Sequence, residues 1–418
     1  MPALSTAVKW CNASFSGIPT LNASAGSLVG ILDAVLVNGY NSSSVSQIVV
    51  TSGVARATLT SGGAFARKAV ALIAGCATTE LNGEKRITLV GSGFLEYDAT
   101  GVADGTYNIG TITAKYAPMG WEILFTDTNK RIYRSLNIAD RDSVLIHVDD
   151  TNPTGFNVAA GVAGTYRSMA KVSSITAATD INTHTILHSV WWIKSNHSTD
   201  TVGRNFMICG DDLGFYFNGS PSGTSYGNSS DYFGKLNNIY RPGDMFATLL
   251  TGWDGYGGGN SGNSSSSAPG GIANGMALGN VSQSFGYLTY TGYGTAKGVA
   301  RSFSQLGVAV SCGFYGHAIS PSFSGLGGAT YPCPVDSGLH YVGNVICYEN
   351  TQGPRGTIPG YYQLLHTRPF GGAYMLENVA SDPDKTFMTW NGYAMAQGST
   401  PSSVNIGEWM FDIIGPWR

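Results

Sequence analysis

The stretch LNGEKRITLVGSGFLEYDATGVADGTYNIGTITA, residues 81–114, alternates Val, Ile and other apolar side chains with polar ones. It contains neither His nor Cys. A period of two puts apolar residues on one face of a pleated strand, so it reads as three β-strands joined by tight turns. The same period reaches back through SQIVVTSGVARATLTS. It predicts strands at 47–51, 54–60, 69–74, 85–90, 94–97 and 109–115, separated by Ser-Gly, Gly-Gly, Asn-Gly, Gly-Ser-Gly and Asp-Gly. Short strands at this spacing form a small β-sandwich or barrel. Asn82-Gly83 and Asp104-Gly105 are the expected sources of the positive φ that tight hairpins require.

One segment departs from this pattern. In AGSLVGILDAVLVNGY, Leu28, Ile31, Leu32, Val35 and Leu36 fall at helical spacing and form one apolar stripe. Ser24 or Ser27 is the expected cap, and Asn38-Gly39 the expected stop. Beyond the β module, SVLIHVDD, ILHSVWWIKS, NFMICGDDLGFYFNG and QLGVAVSCGFYG read as buried strands. The stretch around Lys130–Ser135 reads as helix or extended chain. Residues 254–271, DGYGGGNSGNSSSSAPGG, read as a flexible loop. The apolar end GEWMFDIIGPWR is expected to be tied down, in the core or on a neighbour. The fold class is therefore mainly β with few helices. By patterning, residues 1–46 carry one amphipathic helix, 47–117 a β module and 118–418 a large β-rich region.

Charge is the compositional anomaly. Asp, Glu, Lys and Arg make up 12% of 418 residues, with 57 glycines and a net charge of −3, against about 25% charged residues in ordinary globular chains. A neutral, hydrogen-bonding surface suits a protein packed against copies of itself, because few charges must be desolvated. No dense basic run suggests nucleic acid or an anionic membrane as a partner. No run of 18 apolar residues offers a spanning helix. The six cysteines lack a C-x-x-C pair and read as buried thiols, with a Cys333–Cys347 bridge left open.

Candidate chemistry is sparse. Gly257, Gly259 and Gly262 spell a dinucleotide fingerprint, but no helix opens after them to offer its N-terminus to a pyrophosphate. Gly223-Thr224-Ser225-Tyr226-Gly227 spells a nucleophile elbow inside a polar loop, without the strand and helix that elbow needs. Asp149-Asp150 and Asp211-Asp212 sit at strand ends. Such residues start turns by accepting backbone amides; a cation site or an acid–base pair are the sharper alternatives. His184 and His188 would share one face of a helix, but the neighbouring TILHSVWW reads as strand, where they lie some 13 Å apart, too far for one metal. Cys333 and His340 lack a further ligand nearby. No catalytic, cofactor or metal residue is therefore expected, and the chain reads as a non-enzyme. In RGTIPGYYQLLHTRPF, Arg355, Tyr361, Tyr362, His366 and Arg368 are of types enriched at protein interfaces. With Trp409, Phe411 and Trp417 they are the expected interface residues.

The stretch LNGEKRITLVGSGFLEYDATGVADGT also resembles the small Ig-like β modules of tailed-bacteriophage virion proteins. LVGILDAVLVNGY, GWEILFTDTNKRIYRS, LIHVDDTNP, DDLGFYFNG, RGTIPGYYQLLHTRPF and FDIIGPWR resemble pieces of a phage and prophage structural-protein family. The resemblance covers most of the chain and brings no enzymatic residue. It implies an Ig-like insert in a virion component, a multimeric tail-tip or baseplate protein before a capsid decoration or head fibre. Its implied partners are its own copies and other virion proteins. A receptor- or glycan-binding tip, with host-surface glycan as partner, is the alternative; a glycan depolymerase ranks last.

Overall fold

The computed structural model describes residues 5–151, 168–195, 200–220, 229–253, 295–315, 332–333, 335–349, 352–364, 374–391 and 408–418. The Gly/Ser tract 254–271, with its Gly257, Gly259 and Gly262, and the motif at 223–227 lie outside them. The chain is mainly β, as its patterning implied, with one short α-helix among the described residues.

The module containing residues 81–114 is a six-stranded barrel. Tyr40–Thr51 pairs with Val54–Leu59, which pairs with Phe94–Asp98, then Gly83–Gly91, Val70–Ala74 and Thr113–Tyr116. Thr113–Tyr116 returns to the first half of Tyr40–Thr51 and closes the ring. Of the two forms open to such strands, sandwich and barrel, closure selects the barrel, and closure removes exposed sheet edges. Inward residues Ile48, Ala55, Ala57, Ile87, Leu95, Tyr97 and Ala114 have no exposed surface.

Two expectations about its turns are corrected. Positive φ appears at Ser52-Gly53 and Gly93, at the two tight hairpins. Gly83 also has positive φ, but Asn82 instead closes the loop from Gly75, its side-chain amide exchanging two hydrogen bonds with the Cys76 backbone at 2.9 and 2.7 Å. Asp104 accepts from the Ser52 amide at 2.8 Å, bracing the neighbouring hairpin. The first barrel strand also starts at Tyr40, before the 46/47 boundary drawn from the sequence. Its residues 41–44 are all polar and hide the period there: the strand reads YNSSSVSQIVVT.

The chain enters and leaves the barrel from one large sheet. Lys9–Asn12 pairs with Asn205–Gly210, and the sheet continues through Gly214–Ser220, Ser229–Lys235, Thr248–Trp253, Thr185–Ser195, Ser168–Thr176, Leu145–Asp149, Lys130–Ser135 and Trp121–Asp127. A branch from Thr248–Trp253 adds Thr295–Val299, Val310–Tyr315, Ile346–Glu349 and Gly353–Thr357. A third sheet holds Tyr341–Val342, Tyr361–Leu364, Glu408–Asp412, Asp382–Asn391 and Met375–Val379, in that order. Lys130–Ser135, read as helix or extended, is a strand.

Aromatic side chains join these bodies. Tyr116 of the barrel packs against Phe15, Tyr40 and Phe65 at centroid distances of 5.0, 4.8 and 4.8 Å. Tyr216 of the large sheet meets Tyr232 at 4.7 Å, Phe411 at 4.8 Å and Trp417 at 5.6 Å. The chain end is thus held in this chain's own core. Fully burying one such ring contributes about 1.5–3 kcal/mol before entropy is counted.

The predicted helix spans Ser27–Leu32 and widens into π turns at Asp33–Asn38. All five residues of its apolar stripe are buried. Gly39 ends it at φ 70, where a Cβ would stand 2.4 Å from the Tyr116 carbonyl oxygen, so only glycine fits. Neither Ser24 nor Ser27 caps the start. The Leu28 and Val29 amides donate instead to Asp150 Oδ2, at 2.8 and 3.2 Å.

Candidate interaction surface

The four strand-end carboxylates separate into different roles. Asp149 starts a turn, accepting from the Thr151 amide and hydroxyl at 3.1 and 2.6 Å, and pairs with Lys130. Asp150 is buried, caps the helix and pairs with buried Lys194. Asp211 accepts the Leu213 and Gly214 amides, each at 2.9 Å, and holds Arg418. Asp212 Oδ2 accepts from the Asn137 side-chain Nδ2 at 3.1 Å. Each pair therefore splits between a turn or clamp and another task, and neither presents two facing free carboxylates.

The histidines are placed differently from the sequence reading. His184, just before the strand Thr185–Ser195, lies 4.7 Å, ring to ring, from His147 on Leu145–Asp149, two strands along the sheet, a contact that spacing along the chain does not reveal. Burial, with the His184 charge next, lowers His147 to about 4. Burial alone lowers His188 to about 4. These are neutral imidazoles at pH 7. No disulfide links the six cysteines; Cys333 is partly exposed and the other five are buried. Asp336 stands between Cys333 and His340, the neighbour that the sequence reading missed.

Of the five expected interface residues whose side chains are described, four are interior. Arg355, Tyr361 and Phe411 are 0–1% exposed and Trp417 7%. Their aromatic and guanidinium surface packs inside the chain. Tyr362 is half-buried and accepts from Lys385 Nζ at 2.7 Å. His366 and Arg368 lie outside the described residues, as does the side chain of Trp409.

Arg355 nevertheless organises a surface. Its guanidinium donates to Asp244 Oδ2 at 3.0 and 2.6 Å, to Glu349 Oε2 at 2.7 Å and to the Arg301 carbonyl at 2.6 Å. Its plane lies 4.6 Å from the Phe303 ring centroid. This buried triad fixes the loops 236–247 and 300–309 from below. Gln305 locks them together, donating to Asp244 Oδ1 at 2.9 Å and accepting the Met245 amide at 3.3 Å. The Met245 carbonyl accepts from Ser143 and so ties in the loop 136–144. The Ala309 amide donates to the Leu187 carbonyl at 3.1 Å.

The loops so held carry large apolar side chains outward: Ile138 is 78% exposed, Leu306 71%, Val308 60%, Tyr240 53% and Met245 44%, and Ile186, at the start of the strand Thr185–Ser195, is 45% exposed. Single exposed apolar residues are ordinary; several on loops tied to one another are not. Beside them, Trp121, Arg134, Arg141, Asp142, Lys235 and Thr248 line a shallow crevice. Its charges are answered within the chain: Arg134 by Glu122 at 2.7 Å, Lys235 by Asp142 at 3.2 Å.

No family model matches this chain, and no curated protein matches it. Among the described residues, no helix is long and apolar enough to cross a membrane.

Proposed function

We propose that the chain is a structural subunit of a tailed-phage virion, a multimeric tail-tip or baseplate component that assembles with its own copies and other virion proteins. The observation that carries this reading is the apolar set on loops clamped by the buried Arg355–Asp244–Glu349 triad. A preorganised apolar surface loses little entropy on association. The low charge of the chain supports the same reading, since few ions must be desolvated.

The test has two arms. Light scattering of the purified protein should give a multimer that Leu306→Asp with Val308→Asp dissociates without changing the unfolding midpoint. Quantitative mass spectrometry of purified particles should find the protein at few copies each. A monomer absent from particles overturns the proposal. Hundreds of copies move the protein to the capsid, as a decoration or head fibre.

A further inference from the structure

The loop that leads into Tyr341–Val342 gathers three side chains of different ligand chemistry. Cys333 Sγ, a carboxylate oxygen of Asp336 and an imidazole nitrogen of His340 all lie within 4.8 Å of one another. His340 Nε2 stands 3.2 and 3.1 Å from the two Asp336 oxygens. Zinc bound at about 2.0–2.3 Å by N, O and S donors in a tetrahedron needs ligand atoms roughly 3.3–3.8 Å apart. Side-chain adjustments of up to roughly 1–1.5 Å therefore bring the three atoms onto one ion.

Backbone bonds set this arrangement. The Ser337 amide donates to the Cys333 carbonyl at 2.7 Å, and the Cys333 amide to the Gly338 carbonyl at 3.2 Å. Ser337 takes φ 58 to close the turn, and the Gly338 amide holds Asp336 Oδ1 at 2.9 Å. The ligand positions are thus fixed by the loop itself. The donor set selects the ion: a thiolate and an imidazole are soft or borderline ligands, which suit zinc and not calcium or magnesium. Thiolate plus carboxylate also balance a dication. The Asp336 and His340 side chains are 50% and 44% exposed, which leaves a fourth position to water.

We propose that Cys333, Asp336 and His340 form a three-ligand site for a zinc-class divalent metal ion, independent of the assembly surface. Binding replaces the Cys333 thiol proton, released to solvent, by a metal–sulfur bond.

Because the other five cysteines are buried, thiol alkylation reports on Cys333. Metal-free full-length protein is titrated with Zn²⁺, and Cys333 alkylation is followed by peptide mass spectrometry. One equivalent should slow it by about tenfold or more, the scale on which losing even an outer-shell partner weakens a metal site. Co²⁺ should give a thiolate-to-metal charge-transfer band. Asp336→Asn and His340→Gln should each abolish both signals while leaving the unfolding midpoint unchanged. An alkylation rate indifferent to Zn²⁺, or protection that survives His340→Gln, overturns the proposal.

Discussion

Asp150 and Lys194 form an ion pair in which neither side chain has any exposed surface, and the second carboxylate oxygen caps a helix more than a hundred residues earlier in the chain. Lys194 also donates to the Ser24 carbonyl at 2.7 Å. Burial pushes the carboxyl up and the amine down, and the pairing opposes both shifts. The two residues thus fasten the helix to the large sheet.

Removing one partner strands the other. Asp150→Asn leaves a buried ammonium without its counter-ion and should destabilise the protein by about 3–5 kcal/mol. Adding Lys194→Met should recover much of that loss, since the uncompensated charge is gone. Chemical denaturation of the two variants checks the order; equal stability of both would show that the charge is not the cause.

Asp231 is 2% exposed, and burial raises its carboxyl well above the usual range, its Ser229 neighbour only partly countering. The folded state holds this proton more tightly than the unfolded chain does, so stability falls as pH rises above about 3.8. Asp231→Asn should stabilise the protein by roughly 1–3 kcal/mol at pH 7, the scale of a poorly compensated buried polar group. The gain should vanish near pH 4 in unfolding curves.

His188 carries the opposite sign. Its folded value of about 4 lies below the ordinary 6.5, so the unfolded chain binds the proton first and stability is lost as pH falls between those values. The full loss is about 3 kcal/mol for a shift of this size. His188→Gln should flatten that limb, and an NMR titration of the ring should show no protonation at pH 6. A ring that titrates normally would contradict the burial argument.

Arg86 is buried and answers carbonyls rather than a carboxylate. It donates to Ser5 and Val8 near one end of the chain, to Lys68 in the barrel, and to Ile413 and Ile414 near the other end. Arg86→Met should leave these acceptors unpaired, at about 1–3 kcal/mol each for those that water cannot reach. Hydrogen exchange should rise first at residues 5–12 and 413–418, ahead of the barrel strands.

Much of the strand content was legible because alternation of apolar and polar residues is a local property. Val54–Leu59, Phe94–Asp98 and Thr185–Ser195 lie close to where their period placed them. The helix was equally legible from its five-residue stripe. Its cap was not, since the capping carboxylate arrives from a strand far along the chain. The Arg355 cluster shows the limit most clearly. Residue type marked Arg355, Tyr361 and Phe411 as interface material, yet burial depends on which sheets stack, and no local signal encodes that.

The amino-acid sequence by itself determined the β class, the helix, the glycine stop at Gly39 and the neutral surface, because each follows from side-chain chemistry over a few neighbouring positions. Only the tertiary structure decided that the module closes into a barrel, that Asp150 serves a distant helix, that Arg355 lies beneath the exposed loops, and that Asp336 joins Cys333 with His340. These depend on distances through space, which chain folding sets and separation along the backbone does not.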